Sequence, residues 1–378
     1  MKNNRTFLEK LLDGAEVEWK PLGKVTDIKT GQSVSKNIIA QNPGIYPVIN
    51  SGREPLGFIN EWNTENDPIG ITTRGAGVGS ITWQEGKYFR GNLNYSVTIK
   101  SEYELNVRFL YHILLHFQKE IHNLCSFTGI PALNASELKK LEIPIPPLSV
   151  QTKIVKILDA LTALTSELTS ELTLRRKQYE YYREKLLSHD SSEYSTQKSD
   201  KVKFFHTSNI QWLHLNEIYK FQYGIGNKIP TIGGEYPVYG SNGIVGTHNE
   251  YNSENAPVIG HIGAYAGIVN WAEGKHFVTY NGIICNKIND NVNSRYAYYL
   301  LLSQNFIDKA NKASQPFISY DILNKCIVPV PPLEEQQRIV SILDKFEALT
   351  NSITEGLPLA IEQSQKRYEY YRELLLSF

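Results

Sequence analysis

PIPPLSVQTKIVKILDALTALT (Pro144–Thr165) returns later in the chain as PVPPLEEQQRIVSILDKFEALT (Pro329–Thr350). A second pair follows: YEYYREKLLS (Tyr179–Ser188) returns as YEYYRELLLS (Tyr368–Ser377). The Pro run cannot be helical throughout, so it reads as an extended connector, and each copy feeds a helix. In the first helix, apolar or bulky residues fall at Ile154, Leu158, Leu161, Thr165, Leu168, Leu172, Arg175, Tyr179, Tyr182 and Leu186. Spacings of four and three alternate without interruption, which is a heptad seam. The second seam runs Ile339, Leu343, Phe346, Thr350, Ile353, Leu357, Ile361, Ser364, Tyr368, Tyr371 and Leu375, with two fours together around Leu357. Four inserted residues make a stutter. Gly356 and Pro358 beside it predict a kink or break. Two such seams in one chain predict an antiparallel intramolecular pair, a rod about 60 Å long at ~1.5 Å per residue.

Outward from the seams, the globular parts also match, more loosely. GIYPVINSG (Gly44–Gly52) aligns with GEYPVYGSNG (Gly234–Gly243), EWNTENDP (Glu61–Pro68) with EYNSENAP (Glu250–Pro257), and ITWQEGKYF (Ile81–Phe89) with VNWAEGKHF (Val269–Phe277). Short alternating strands broken by Gly, Pro and Asn predict compact, mostly β domains with helices over Val107–Leu124 and Ser294–Asn311. FLEKLLDG (Phe7–Gly14) resembles the helix end YREKLLSHD (Tyr182–Asp190) and precedes Trp19 much as that end precedes Trp212. The repeat is therefore cyclically arranged, which predicts pseudo-twofold symmetry. The expected fold class is α+β: two similar mixed α/β domains separated by two long antiparallel coiled-coil helices. The expected boundaries are a helix fragment at 1–14, a first domain at 15–147, a helix at 148–190, a linker at 191–202, a second domain at 203–332 and a helix at 333–378.

The 378 residues are enough for two ordinary domains, and 41% hydrophobic with 21% charged is a normal soluble composition. No apolar run approaches the ~18 residues of a membrane helix, and MKNNRTFLEK lacks an apolar signal core. Cys125, Cys285 and Cys326 are unpatterned and fit buried thiols in a reducing compartment. The expected location is the cytoplasm. With 39 basic and 39 acidic residues, any nucleic-acid surface must come from arrangement rather than total charge.

No catalytic constellation stands out. RGAGVGS (Arg74–Ser80) has the glycines of a nucleotide loop, but a strand-like SITW follows it instead of a helix. GKY (Gly86–Tyr88) and GKH (Gly274–His276) lack the remainder of a phosphate loop, and the nine His are scattered without metal-ligand spacing. A binding protein is favoured over an enzyme, with neither metal nor cofactor in this chain.

The two copies diverge in their loops. Asn50, Ser51 and Arg53 stand against Tyr239, Ser241 and Asn242, Thr72, Thr73 and Arg74 against His261 and Tyr265, Lys36 and Asn37 against Lys228, and Lys87 against Lys275. Short polar and cationic side chains among glycines and tyrosines suit base-edge and phosphate contacts on DNA. They would also suit sugars or peptides.

The duplicated P-[IV]-P-P-L-x-x-Q-x-x-I-V-x-I-L-D (Pro144–Asp159 and Pro329–Asp344), the YEYYRE helix ends, and the G-x-Y-P-V and W-x-E-G-K anchors resemble the specificity subunit of type I restriction–modification systems, over nearly the whole chain. The resemblance implies two target recognition domains, each reading one half of a split, asymmetric DNA site. It implies helical spacers that bind two methyltransferase subunits, with Gln151, Ile154, Tyr179, Tyr182, Gln336, Ile339, Tyr368 and Tyr371 as candidate partner contacts. Nuclease subunits would join them, and S-adenosylmethionine, ATP and Mg²⁺ would belong to the partners. The alternative is a coiled-coil scaffold carrying two carbohydrate- or peptide-binding domains.

Overall fold

A computed structural model describes residues 7–52, 54–188, 209–226, 233–311 and 314–378. Arg53, Lys228 and the expected 191–202 linker lie outside the described residues. The chain opens with α1 (Phe7–Leu12), β1 (Glu18–Pro21), α2 (Leu22–Val25), β2 (Thr26–Thr30), α3 (Lys36–Gln41), β3 (Pro43–Ile49), β4 (Phe58–Ile59) and β5 (Ile69–Thr72). It continues with β6 (Ile81–Trp83), β7 (Phe89–Arg90), β8 (Asn94–Ile99), α4 (Val107–His116), α5 (Gln118–Asn123), α6 (Ala135–Leu138), β9 (Glu142–Ile145) and α7 (Leu148–Ser188). After α7 come β10 (Gln211–His214), α8 (Leu215–Ile218), β11 (Tyr219–Tyr223), β12 (Tyr236–Gly240), β13 (Gly243–His248), β14 (Ser253–Gly260), β15 (Val269–Val278) and β16 (Gly282–Lys287). The chain closes with α9 (Ser294–Ser303), α10 (Phe306–Lys309), α11 (Tyr320–Asn324), β17 (Ile327–Val330), α12 (Leu333–Asn351) and α13 (Gly356–Leu376).

The chain divides into two compact units, 1–169 with 360–378, and 170–359. The first half of α7 thus belongs to unit 1 and the second half to unit 2. In unit 1 a four-stranded sheet runs β2-β8-β5-β6 beside a three-stranded β4-β3-β7. The central β5 is buried along its whole length, as a strand covered on both faces must be. In unit 2 the corresponding strands join into one six-stranded sheet, β11-β16-β14-β15-β12-β13.

The connector expected to be merely extended is a paired strand in both units. Trp19 faces Pro144 in the β1–β9 pair, and Trp212 faces Pro329 in the β10–β17 pair, in the same antiparallel register. A two-stranded ribbon tolerates these prolines because an edge can do without their missing N–H. The two helices expected to be continuous are each broken. Phe117 separates α4 from α5, and Asn305, at φ +46°, stands before α10. Asn is among the few residues that adopt this left-handed conformation readily.

The seam positions of α7 are all buried or half-buried, and most of its other positions are exposed. In unit 1 it packs antiparallel to α13: Ile154 and Leu158 share a core with Leu375 and Leu376, and Thr165 Oγ1 lies 2.8 Å from Ser364 Oγ. α1 adds Leu11 and Leu12 to that core. In unit 2 it packs antiparallel to α12, with Tyr179 and Tyr182 on Phe346. The second seam is interrupted. α12 ends at Asn351, the Ser352 hydroxyl accepts from the Thr354 and Glu355 amides, and α13 restarts at Gly356. Gly356 has φ +79°, and a Cβ there would lie 2.5 Å from Ala348 O. Ile353, read from sequence as a seam residue, is instead 78% exposed in this turn. No helix among the described residues is long and apolar enough to cross a membrane.

Candidate nucleic-acid interface

The same backbone bonds tie the strand-end loops together in both units. In unit 1, Thr73 N donates to Leu93 O (2.9 Å), Leu133 N to Thr73 O (2.8 Å) and Gly75 N to Pro131 O (3.0 Å). In unit 2, His261 N donates to Asn281 O (2.8 Å), Ile318 N to His261 O (2.8 Å) and Gly263 N to Pro316 O (2.9 Å). Thr73 and His261 therefore occupy one position in two copies of a single frame. Next to this frame, glycines just after β2 and β11 let the backbone approach the turns at Arg90–Gly91 and Val278–Thr279. A Cβ on Gly31 would lie 2.2 Å from Arg90 O, and one on Gly224 would lie 2.1 Å from Thr279 O.

The sequence-predicted contact residues fall into two groups on this frame. Lys36 and Asn37 are exposed in the first turn of α3, which Ser35 caps through Ile38 N. Arg74, Asn242 and Tyr265 are exposed on the loops, and Ser241 is half-buried beside Asn242. Lys87 is exposed over the Trp62 ring at 4.5 Å and 4.0 Å from Glu65, and Lys275 lies over Tyr251 at 4.6 Å. Asn50, Thr72, Thr73, Tyr239 and His261 are buried. Asn50 Oδ1 accepts from Leu93 N, Tyr239 sets its edge against His276, and His261 Nδ1 lies 2.9 Å from Ile318 O. Asn50, Thr72, Thr73 and Tyr239 shape the loops from within, and His261 is held by one ring edge.

Sequence reading missed several residues here. Arg90 is buried, and its guanidinium donates to the carbonyls of Ile69, Asp67 and Tyr95 and to Asn94 Oδ1, as well as to the Tyr88 hydroxyl. Burial pulls the Arg90 pKa down and pushes that of Tyr88 up. One cation so ties its own strand to Asp67–Ile69 and Asn94–Tyr95, and nothing in a lone FR dipeptide announces it. Phe127 and Ile130, at 54% and 69% exposure, tip a tight hairpin whose Ser126 and Ala132 exchange both backbone bonds beside Arg74. In unit 2, Tyr223, Tyr280 and Tyr320 cluster around His261.

The candidate partner contacts are mostly internal. Gln151 is fully buried, accepts from Asn106 N (2.8 Å) and donates to Pro146 O (2.8 Å) and Glu104 O (3.2 Å). Gln336 repeats this in unit 2, accepting from Asn293 N (2.7 Å) and donating to Pro331 O (2.8 Å) and Asn291 O (3.1 Å). Ile154 and Ile339 are fully buried below them. Tyr179, Tyr182, Tyr368 and Tyr371 pack against the two cores, whereas Tyr181 and Tyr370 are 57% and 62% exposed.

A second joint stands beside each glutamine. Arg108 stacks on Trp83 and Tyr111 and pairs with Asp159 (2.8 Å), which His112 also meets at 2.9 Å. Arg295 stacks on Trp271 and Tyr298 and pairs with Asp344 (2.9 Å) and Glu347 (2.5 Å). The signal was available: Asn106-Val107-Arg108-Phe109 and Asn293-Ser294-Arg295-Tyr296 repeat an Asn helix cap followed by Arg. These joints fasten the helices α4 and α9 to α7 and α12, so the best-repeated residues serve the frame rather than the loops.

Comparison with known proteins agrees with this layout. The family described as type I restriction modification DNA specificity domain matches residues 15–175 and again 216–363. A putative type I restriction enzyme specificity subunit of Haemophilus influenzae is 40% identical over all of both chains. The EcoR124I/EcoR124II specificity subunit of Escherichia coli is 31% identical, covering 99% of this chain and 97% of its own. A crystal structure of a type I restriction–modification S subunit from M. genitalium shares the fold, with TM-score 0.66 at 22% identity over 96% of this chain and 97% of that one.

Proposed function

The chain belongs to the family of type I restriction–modification DNA specificity subunits, and from that premise we propose that its two loop clusters each read one half of a split DNA site. The observation that carries the proposal is one frame built twice with different side chains at matched positions, Thr73 against His261 foremost. Different side chains imply different half-sites, hence an asymmetric target. The exposed Lys36, Arg74, Lys87 and Lys275 serve phosphates. Ser51, Ser241, Asn242 and Tyr265 face the bases, and Asn50, Thr72, Thr73 and Tyr239 hold the loops that present them. Arg53 and Lys228 belong to the same loops by sequence. α7 acts as the spacer. With no net charge, the chain alone binds DNA weakly, and its partners supply further phosphate contacts.

Those partners are two methyltransferase subunits and, in the full assembly, ATP-dependent nuclease subunits, working in the cytoplasm. S-adenosylmethionine, ATP and Mg²⁺ bind there, and this chain is non-catalytic. The eight repeated helix residues keep the platform in shape, and Tyr181 and Tyr370 lie on the face a partner meets. The scaffold alternative is set aside by the family match over both globular parts. The test is co-expression with a type I methyltransferase subunit. A complex that co-purifies and methylates adenine in a bipartite motif supports the proposal, and a methylome without such a motif sinks it.

A further inference from the structure

We propose that His261 is a specificity-determining residue of the second loop cluster, accepting a hydrogen bond through Nε2 from the exocyclic amino group of an adenine or cytosine in the major groove. The proposal rests on the reading of that cluster as a DNA interface.

The ring's chemistry is fixed by its neighbour. Nδ1 lies 2.9 Å from the carbonyl of Ile318. A carbonyl only accepts, so Nδ1 carries the hydrogen, and in the neutral ring Nε2 is left with a lone pair. Its orientation is fixed as well. Tyr223 packs on the imidazole with centroids 4.4 Å apart, Tyr280 meets it edge-on at 5.3 Å, and Tyr320 stacks on Tyr223 at 4.3 Å. The Tyr320 hydroxyl accepts from Tyr223 N at 2.8 Å, which anchors the stack to β11. The ring is 6% exposed, and among the described residues Nε2 makes no hydrogen bond, which leaves that edge free for a ligand.

The fold alone does not demand an imidazole here. The backbone bond Ile318 N to His261 O already ties the two segments, as Leu133 N to Thr73 O does in unit 1. In unit 1 the Leu133 carbonyl is served by the Tyr95 hydroxyl at 3.2 Å. Capping the Ile318 carbonyl is thus one task of His261, and it turns the opposite edge of the ring into a single, rigid acceptor. Major-groove amino donors are adenine N6 and cytosine N4, so the geometry selects those bases over guanine and thymine at one position.

The test uses the complex with its methyltransferase partner and a duplex carrying the motif it methylates. Single adenines are replaced by purine lacking the 6-amino group, and single cytosines by 2-pyrimidinone lacking the 4-amino group. The expected result is one position in one half-site where wild type loses about tenfold in affinity while His261→Ala binds parent and analogue equally. A His261 that only holds the loop would weaken binding to every duplex alike, and that result overturns the proposal. So does a His261-dependent position that proves to be a guanine by its response to 7-deazaguanine. If His261→Ala fails to fold, His261→Asn, whose amide can still donate to Ile318 O, carries the same measurement. A motif with no His261-dependent position overturns the assignment alone, whereas a complex with no bipartite motif overturns the DNA reading with it.

Discussion

Replacing Gln336 by Ala removes three hydrogen bonds at once, to Asn293 N, Pro331 O and Asn291 O. Gln336 is fully buried, so water does not readily replace the lost amide. Each bond is worth about 1 kcal/mol net, and orphaned buried groups raise the loss, so the local penalty is about 3 kcal/mol or more. It falls on the start of α9, because Asn293 caps that helix by accepting from Arg295 N and Tyr296 N. At ~1.4 kcal/mol per factor of ten, the Asn293 amide should exchange with solvent about a hundredfold faster. Amide hydrogen exchange by mass spectrometry or NMR measures this directly. The Asn106 amide, held by Gln151 in unit 1, is the internal reference and should not change. Gln336→Leu separates the effects: it keeps most of the volume but none of the bonds, and should match Gln336→Ala. An unchanged ratio of the two exchange rates would refute the reasoning, and a Leu variant behaving like wild type would show that packing, not hydrogen bonding, matters there.

Gly31→Ala and Gly224→Ala each force a Cβ to within about 2.2 Å of a backbone carbonyl. Each should weaken binding of the complex to its motif by about tenfold or more, with base discrimination relaxed in one half-site only. Arg295→Lys keeps the charge but loses the fork shared by Asp344 and Glu347, so the α9–α12 joint should weaken by about 1–2 kcal/mol, read as faster exchange in α9. Burial, the largest cause, lowers the pKa of His112 below its ordinary 6.5, although Asp159 pulls the other way. The unfolded chain then takes up a proton that the folded unit resists, so this stability is full above pH 6.5 and falls as the pH drops through the folded pKa beneath it. His112→Tyr, which imports the residue found at the matching Tyr299, should flatten the acid response of unit 1 when exchange is followed from about pH 7.5 to 5.

The repeat and its seams were legible because a buried stripe must recur every three or four residues, and Ile154, Leu158, Tyr179 and Leu186 do so over the whole of α7. The interruption at Gly356 was legible for the same reason, since four extra residues cannot stay on one stripe. Ile353 misled because an apolar residue at seam spacing carries no mark of the turn that exposes it. The pairing of Pro144 with Trp19 was hidden because the partner strand is remote in sequence. Gln151 and Gln336 were recognised as repeated but not as interior, because a polar side chain is buried only where backbone groups wait for it, and those belong to Asn106 and Asn293. The division of the loop residues between Asn50, turned inward, and Arg74, turned outward, was not legible. That division depends on which backbone amide each side chain can reach.

The core of unit 1 contains Leu375 and Leu376, from the last residues of the chain, whereas unit 2 is drawn from the uninterrupted stretch 170–359. During synthesis the second unit is therefore complete first. The first waits with Ile154, Leu158 and Phe109 uncovered until the C-terminal helix emerges, so the usual order of N-terminal domain first is inverted. A ribosome that stalls within codons 360–376 leaves a finished second unit attached to an open, sticky first one. Removing residues 360–378 should thus be felt most strongly far away in sequence, as protease sensitivity of residues 15–147.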